Sequence, residues 1–249
     1  MKHNNNNLYK VYGINGALSI MSSKSCIIDE IIISSDFQID NNINKEIFNR
    51  YKAQIQIIPK NKFKNKYNTL RTQGIVVYFN YKIYNYIPES SEKNENQCYI
   101  ILDSIKDPQN LGQILRTSEC AGINGIIIPE RRSVNITSTV LQVSQGAFCN
   151  LNIIVSKNIK YSINEFKENN YWVIGLENSI DSKNWYEMDM KGNIIFVFGS
   201  EGEGIRPVIR KYCDYLATIP MFGATNSLNI SASVSAILFE RNRQILEKK

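Results

Sequence analysis

Apolar residues in this chain of 249 residues come as short, dense runs separated by longer stretches of mixed character. From residue 98 onward the runs are CYIILD (98–103), GIIIP (125–129), LNIIVS (151–156), YWVIGLE (171–177), IIFVFGS (194–200) and YLATIP (215–220). Each is β-rich, with little alternation between apolar and polar positions, and each is followed by an amphipathic segment. Strands apolar on both faces belong to sheets covered on both sides. The pattern therefore predicts an α/β fold, a mainly parallel sheet with helices on both faces. In such sheets ligands sit at the carboxyl ends of the strands, which makes the loops after the runs the place to look for chemistry.

Before residue 98 the pattern changes. Residues 11–24 read as a helix, 27–34 as a strand, 45–54 as a helix, and 55–59 and 74–81 as strands, together a small α/β domain. The polar segment NYIPESSEKNENQ (85–97) has no apolar periodicity and reads as a linker. The expected organisation is a small α/β domain over 1–84 with a disordered Asn-rich N-terminal tail, a linker over 85–97, and a larger domain over 98–249.

Charge follows the same division. The formal net charge of +6 resolves into +7 for residues 1–84, −2 for 85–97 and +1 for 98–249. A basic small domain favours a polyanionic partner. An AT-rich genome, suggested by the abundance of Asn, Ile, Lys and Tyr, would enrich lysine without any such partner. Within the basic part, Lys60, Lys62, Lys64 and Lys66 recur at every second position, with Phe63 and Tyr67 among them. If extended, this stretch sets its lysines on one side, with rings nearby to stack on a base; as a loop it forms a diffuse positive cloud.

Counting excludes several chemistries. His3, in the N-terminal tail, is the single histidine, so no Ser-His-Asp triad, Cys-His pair or histidine-ligated metal centre is expected. The five cysteines are scattered without a CxxC pair, which disfavours a thiolate zinc site and fits a reducing cytosol. The longest apolar stretches are too short to span a bilayer and the N-terminus has no apolar leader. The expectation is a cytoplasmic protein with no metal and no membrane partner.

Three loops could carry chemistry. In DSIKDPQNLGQILRTSECAG (103–122) a strand end leads into a helix, where Asn110 is placed to cap exposed backbone groups and Arg116 follows about two turns on. In IIFVFGSEGEGIRP (194–207) the glycines are Gly199, Gly202 and Gly204, an order unlike the dinucleotide fingerprint. Glu201 and Glu203 in that loop would repel phosphate; they suit a ligand with hydroxyls, an adenine edge or positive charge. In TIPMFGATNSLNISASVSAILFE (218–240) a strand and a flexible loop lead to a helix beginning near Ser227-Leu228-Asn229. Its small residues Ser231, Ala232, Ser233, Ser235 and Ala236 permit close approach of a ligand, a sheet or another subunit.

Taken together, Asn110-x-Gly112-x-x-x-Arg116, Gly199-x-Glu201-Gly202-x-Gly204, and Ile219-Pro220-Met221 with Ser227-Leu228-Asn229 closely resemble the SpoU/TrmH family of RNA 2′-O-ribose methyltransferases, of the SPOUT class. The resemblance runs through 98–249. It extends to Val11-Tyr12-Gly13-Ile14 and Gln73-Gly74-Ile75, which look like the small substrate-binding domain of the subgroup that methylates a guanosine of 23S ribosomal RNA. Thr72 stands where that subgroup usually has histidine, a departure that bears on the RNA target more than on the chemistry.

The resemblance implies a C-terminal trefoil knot, S-adenosyl-L-methionine as methyl donor, ribosomal RNA as substrate, and a homodimer with its sites at the subunit interface. By the same match Gly199, Ile219 and Leu228 hold the cofactor. Arg116 activates the ribose 2′-hydroxyl, and Asn110, Glu201, Ser227 and Asn229 position it or shape the site. The alternatives are a tRNA 2′-O-ribose methyltransferase and a non-catalytic RNA-binding ribosome-assembly factor of the same fold.

Overall fold

The structure, a computed structural model, describes residues 8–38, 42–88, 95–179, 181–200 and 202–247. The chain begins with β1 (Tyr9–Tyr12), α1 (Ile14–Ser22), β2 (Cys26–Ser34), α2 (Asn42–Arg50), β3 (Ile55–Ile58), α3 (Lys60–Lys66) and β4 (Ile75–Tyr81). It continues with β5 (Cys98–Leu102), α4 (Pro108–Cys120), β6 (Gly125–Pro129), α5 (Ser138–Val143), β7 (Asn152–Ser156), α6 (Ile159–Glu168) and β8 (Trp172–Leu176). The last elements are β9 (Lys183–Asn184), β10 (Ile194–Phe198), α7 (Pro207–Arg210), β11 (Tyr215–Thr218) and α8 (Ile230–Leu246). Contacts divide the chain into two units, Met1–Lys82 with Ile136–Asn150, and Ile83–Asn135 with Leu151–Lys249.

The first unit is built on a four-stranded sheet in the order β1-β4-β2-β3, with β4 antiparallel to β1 and β2, and β2 parallel to β3. The segment 11–24 is not one helix. Tyr9 and Val11 alternate inward as strand residues, and the chain turns into α1 at Gly13, whose φ of +86° suits glycine. At that turn the Ile14 amide donates to Gln73 Oε1 (2.9 Å), and the Gly13 amide donates to the Ile75 carbonyl (3.3 Å). The two N-terminal motifs that carry the family resemblance therefore meet in space.

Lysines 60, 62, 64 and 66 lie on α3, so neither the extended ladder nor the loose loop forms. Alternate residues on a helix turn by about 200°, which sends these lysines to both sides of a buried stripe made by Phe63 and Tyr67. That stripe packs on Ile32 and Val76, which removes both rings from base stacking. Lys60 pairs with Asp36 at 2.7 Å, and the hydrogen bond lowers the Asp36 carboxyl to about 2.

Residues 136–150 belong to this unit by contact, although 98–249 was expected to stand as one domain. The Lys10 amide donates to Ser138 Oγ (2.9 Å) and the Tyr12 amide to Gln142 Oε1 (2.7 Å), while Gln142 Nε2 returns a bond to the Tyr12 carbonyl (2.9 Å). Helix α5 thus satisfies the free edge of β1.

The second unit holds a seven-stranded sheet, β7-β6-β5-β10-β8-β11-β9, with every pairing parallel, as the apolar runs predict. Tyr99, Ile101, Val173, Ile195 and Val197 face Ile159, Ile163 and Phe166 of α6 in one core. Residues of the opposite register, such as Ile100, Leu102, Phe196 and Phe198, are equally buried. Two-sided burial is why these strands are continuous apolar runs. Helices α4 and α8 pack on each other, and hydroxyls sit in the seam: Ser231 Oγ donates to Gln113 Oε1 (3.0 Å) and Thr117 Oγ1 lies 3.3 Å from Ser235 Oγ. Tyr84 exchanges backbone bonds with the β7 strand (2.9 and 2.8 Å), so the chain joins this unit before residue 85.

The strand order reverses direction between β5 and β10. From β5 the chain proceeds outward to β6 and β7, whereas β8, β11 and β9 lie beyond β10. The carboxyl ends around such a switch point form a crevice with no crossing connection over it.

Candidate active site

The loop after β10 closes on itself. Ser200 and Gly204 exchange backbone hydrogen bonds of 3.0 and 3.1 Å, and Gly202 and Gly204 turn the chain with φ of +93° and +67°. A Cβ on Gly199 would lie 1.9 Å from the Gly204 carbonyl carbon, so any side chain there would force the loop open. Beyond the loop, Arg206 anchors to Asp103 at the end of β5: Nε donates to both carboxylate oxygens (2.8 and 2.9 Å) and Nη2 lies 2.6 Å from Oδ1. The Asp103 side chain is wholly buried, and its hydrogen bonding raises the Arg206 pKa above its ordinary value. This pair spans the switch point between β5 and β10.

A cavity of about 430 Å³ opens at the carboxyl ends of β8, β10 and β11. Gly199, Ile219, Ser227 and Leu228 line it together, though they come from two loops separated by a strand and a short helix. Apolar walls come from Leu176, Ile219 and Leu228, and the carboxylate-bearing residues Glu177 and Glu203 also border it. Glu177 is paired with Arg210 Nε at 3.1 Å.

Asn229 sits at the start of α8 as its cap, with Oδ1 accepting from the Ser231 amide (2.9 Å). Its Nδ2 donates to Asn110 Oδ1 at 3.0 Å, joining the first and third loops. Asn110 is buried and is not the cap of α4; Asp107 takes that role, accepting from the Gln109 amide at 2.9 Å, with Pro108 following. Arg116 lies on the exposed side of α4 and does not line the cavity. Glu201 falls outside the described residues. Asp103, Arg206 and Glu177 also belong to the site, and none of them falls in the three loop motifs. The available signals were the acidic residues closing two apolar runs and the arginine just past the glycine loop.

A parallel sheet with a concave site at its switch-point edge defines an α/β ligand-binding protein. Residues 97–239 match the model of the SpoU rRNA Methylase family, and the chain belongs to that family. It is 34% identical over 199 residues to a Staphylococcus saprophyticus protein named for the TrmH family of tRNA/rRNA methyltransferases, covering 78% of this chain and 79% of the relative. Among solved structures, the SpoU methyltransferase AviRb from Streptomyces viridochromogenes, in complex with AdoMet, superposes with a TM-score of 0.80 at 17% identity, over 96% of this chain and 91% of that one. An AdoMet-bound rRNA methyltransferase from Sinorhizobium meliloti gives 0.76 at 18% identity, over 96% and 88%.

Proposed function

We propose that this chain is an S-adenosylmethionine-dependent RNA 2′-O-ribose methyltransferase that acts in the cytoplasm on a guanosine of 23S ribosomal RNA. The observation that carries the reading is the convergence of Gly199, Ile219, Ser227 and Leu228 on one cavity. The cavity fits the methyl donor chemically. Its volume lies in the range of small-molecule sites, the Gly199 backbone borders it, and Glu203 offers a carboxylate to hydroxyls and positive charge. The ribosomal target is favoured by the Sinorhizobium rRNA methyltransferase, which aligns with nearly the whole of this chain.

Bound there, S-adenosylmethionine supplies an electrophilic methyl group. The loop backbones at Gly199 and Ile219 hold its adenosyl part, and Leu228 packs against it. Asn110 and Asn229, locked together, with Glu201 and Ser227, shape the acceptor side and hold the ribose in line. Such alignment contributes about 7–11 kcal/mol to reactions of this kind. Arg116 stabilises the developing alkoxide, since a guanidinium holds its proton too tightly to act as a base. Because Arg116 stands outside the cavity of its own chain, we assign it to the site of a partner subunit in a homodimer. The trefoil threading of the C-terminal part belongs to the same proposal, supported by the loops after β10 and β11, which both line one cavity.

The test is methyl transfer from labelled S-adenosylmethionine to unmodified 23S ribosomal RNA and, separately, to tRNA, with the product mapped by mass. Label on a 23S guanosine ribose is the expected result; label on tRNA alone selects the tRNA reading. Arg116→Ala should keep cofactor affinity within a few-fold while turnover falls by at least about a hundredfold, the usual weight of one transition-state donor.

A further inference from the structure

A second cavity, of about 440 Å³, lies at the carboxyl ends of β5 and β6, on the other side of the glycine loop. Glu203 borders both cavities. The second is lined by Lys106, from the loop leading into α4, by Arg132, from the loop after β6, and by Arg206. Arg206 is committed to the buried Asp103, but Lys106 and Arg132 are exposed and make no ion pair among the described residues. Two unneutralised cations thus stand with one carboxylate around a concave site.

The backbone there is built to a shape. Ser104 and Arg132 have φ of +75° and +68°, values that side-chain-bearing residues adopt at a cost. Both line this cavity. The two loops are tied by the Val134 amide donating to the Ile105 carbonyl (2.7 Å) and Ser133 Oγ donating to the same oxygen (3.0 Å). Lys106 and Arg132 therefore project from a braced pair of turns.

We propose that this second cavity binds a phosphodiester group of the RNA strand, with Lys106 and Arg132 as its ligands. The inference rests on the RNA methyltransferase reading above. In RNA the carbon bearing the 2′-hydroxyl is bonded to the carbon bearing the 3′-phosphodiester. A ribose placed against the methyl-donor cavity must therefore run its backbone through adjoining space, and the adjoining cavity is the cationic one. Lys106 also lies four residues before Asn110, so the phosphate ligand stands on the loop that leads into the helix bearing the acceptor-side asparagine.

The experiment compares the unsubstituted protein with the Lys106→Gln/Arg132→Gln variant and with Arg132→Lys. Measured are S-adenosylmethionine affinity by calorimetry, affinity for transcribed 23S ribosomal RNA across a salt series, and KM and kcat for that RNA. Both residues are exposed, so the double variant keeps the fold. Expected are unchanged S-adenosylmethionine affinity, an RNA KM raised about tenfold with kcat within about twofold, and a log–log salt slope shallower by about 1.4, at about 0.7 per lost single-strand contact. Arg132→Lys should retain most RNA affinity. A double variant matching the unsubstituted protein in KM and slope overturns the proposal while leaving the methyltransferase reading intact. Loss of S-adenosylmethionine affinity also overturns it, assigning the cavity to the donor's carboxylate. Absence of RNA methylation by the unsubstituted protein overturns both.

Discussion

Asp103 and Arg206 are unequal partners. The Asp103 side chain has no exposed surface, whereas the Arg206 side chain keeps 30% of its own. Removing the arginine strands a buried charge, at a cost of about 3–5 kcal/mol. Removing the aspartate leaves a partly hydrated arginine and forfeits charged hydrogen bonds, about 1.5–3 kcal/mol. Arg206→Ala should therefore destabilise the protein more than Asp103→Ala, an ordering that urea unfolding of the two variants measures directly. Equal losses would mean that water already reaches Asp103. The sequence marks each residue by its position at the end of a run or loop, but not their pairing. An aspartate closing an apolar run resembles any strand end, and its partner is 103 positions away.

At the scale of elements, the sheet of the second unit could be read in advance because burial on both faces leaves no polar positions in β5, β6 or β10 to blur the runs. The first unit was harder. Strand β1 has four residues and merges in sequence with the helix that follows, so its period-two signal was too short to register. In α3 the alternating lysines mask the four-residue spacing of Phe63 and Tyr67, which is the helical signal. At the site, the three loops were found from their residue types, but the Asn110–Asn229 bond that joins two of them depends on the packing of α4 against α8. That bond also lets two roles of Asn229 be separated. Asn229→Ala removes the cap and should cost about 1 kcal/mol. Asn229→Ser retains a capping oxygen on a shorter side chain, so thermal unfolding should stay near that of the unsubstituted protein while methyl transfer falls as far as in the alanine variant. Full activity in the serine variant would confine Asn229 to capping.

At the scale of the whole molecule, the partner-subunit role proposed for Arg116 would make assembly a matter of catalysis. If each site takes its arginine from the partner, mixing the Arg116→Ala protein with a Gly199→Ala protein, whose loop cannot close, should restore activity to two inactive preparations. One intact composite site forms in each mixed dimer, so random exchange should recover about a quarter of the unsubstituted activity. No recovery, under conditions where subunit exchange is verified by mass, would place arginine and cavity in the same chain.

The contribution of α5 to the edge of β1 also has a consequence for how the protein is made. A ribosome delivers residues in order, and domains usually fold as they emerge. Here the edge partner of the ninth to twelfth residues is not synthesised until Ser138 and Gln142 have been added. The first unit must wait, with one strand unsealed, while about a third of the second is translated. A pause or truncation between residues 82 and 136 would release a nascent chain with an open sheet edge, the form most prone to pair with a neighbour on the same messenger.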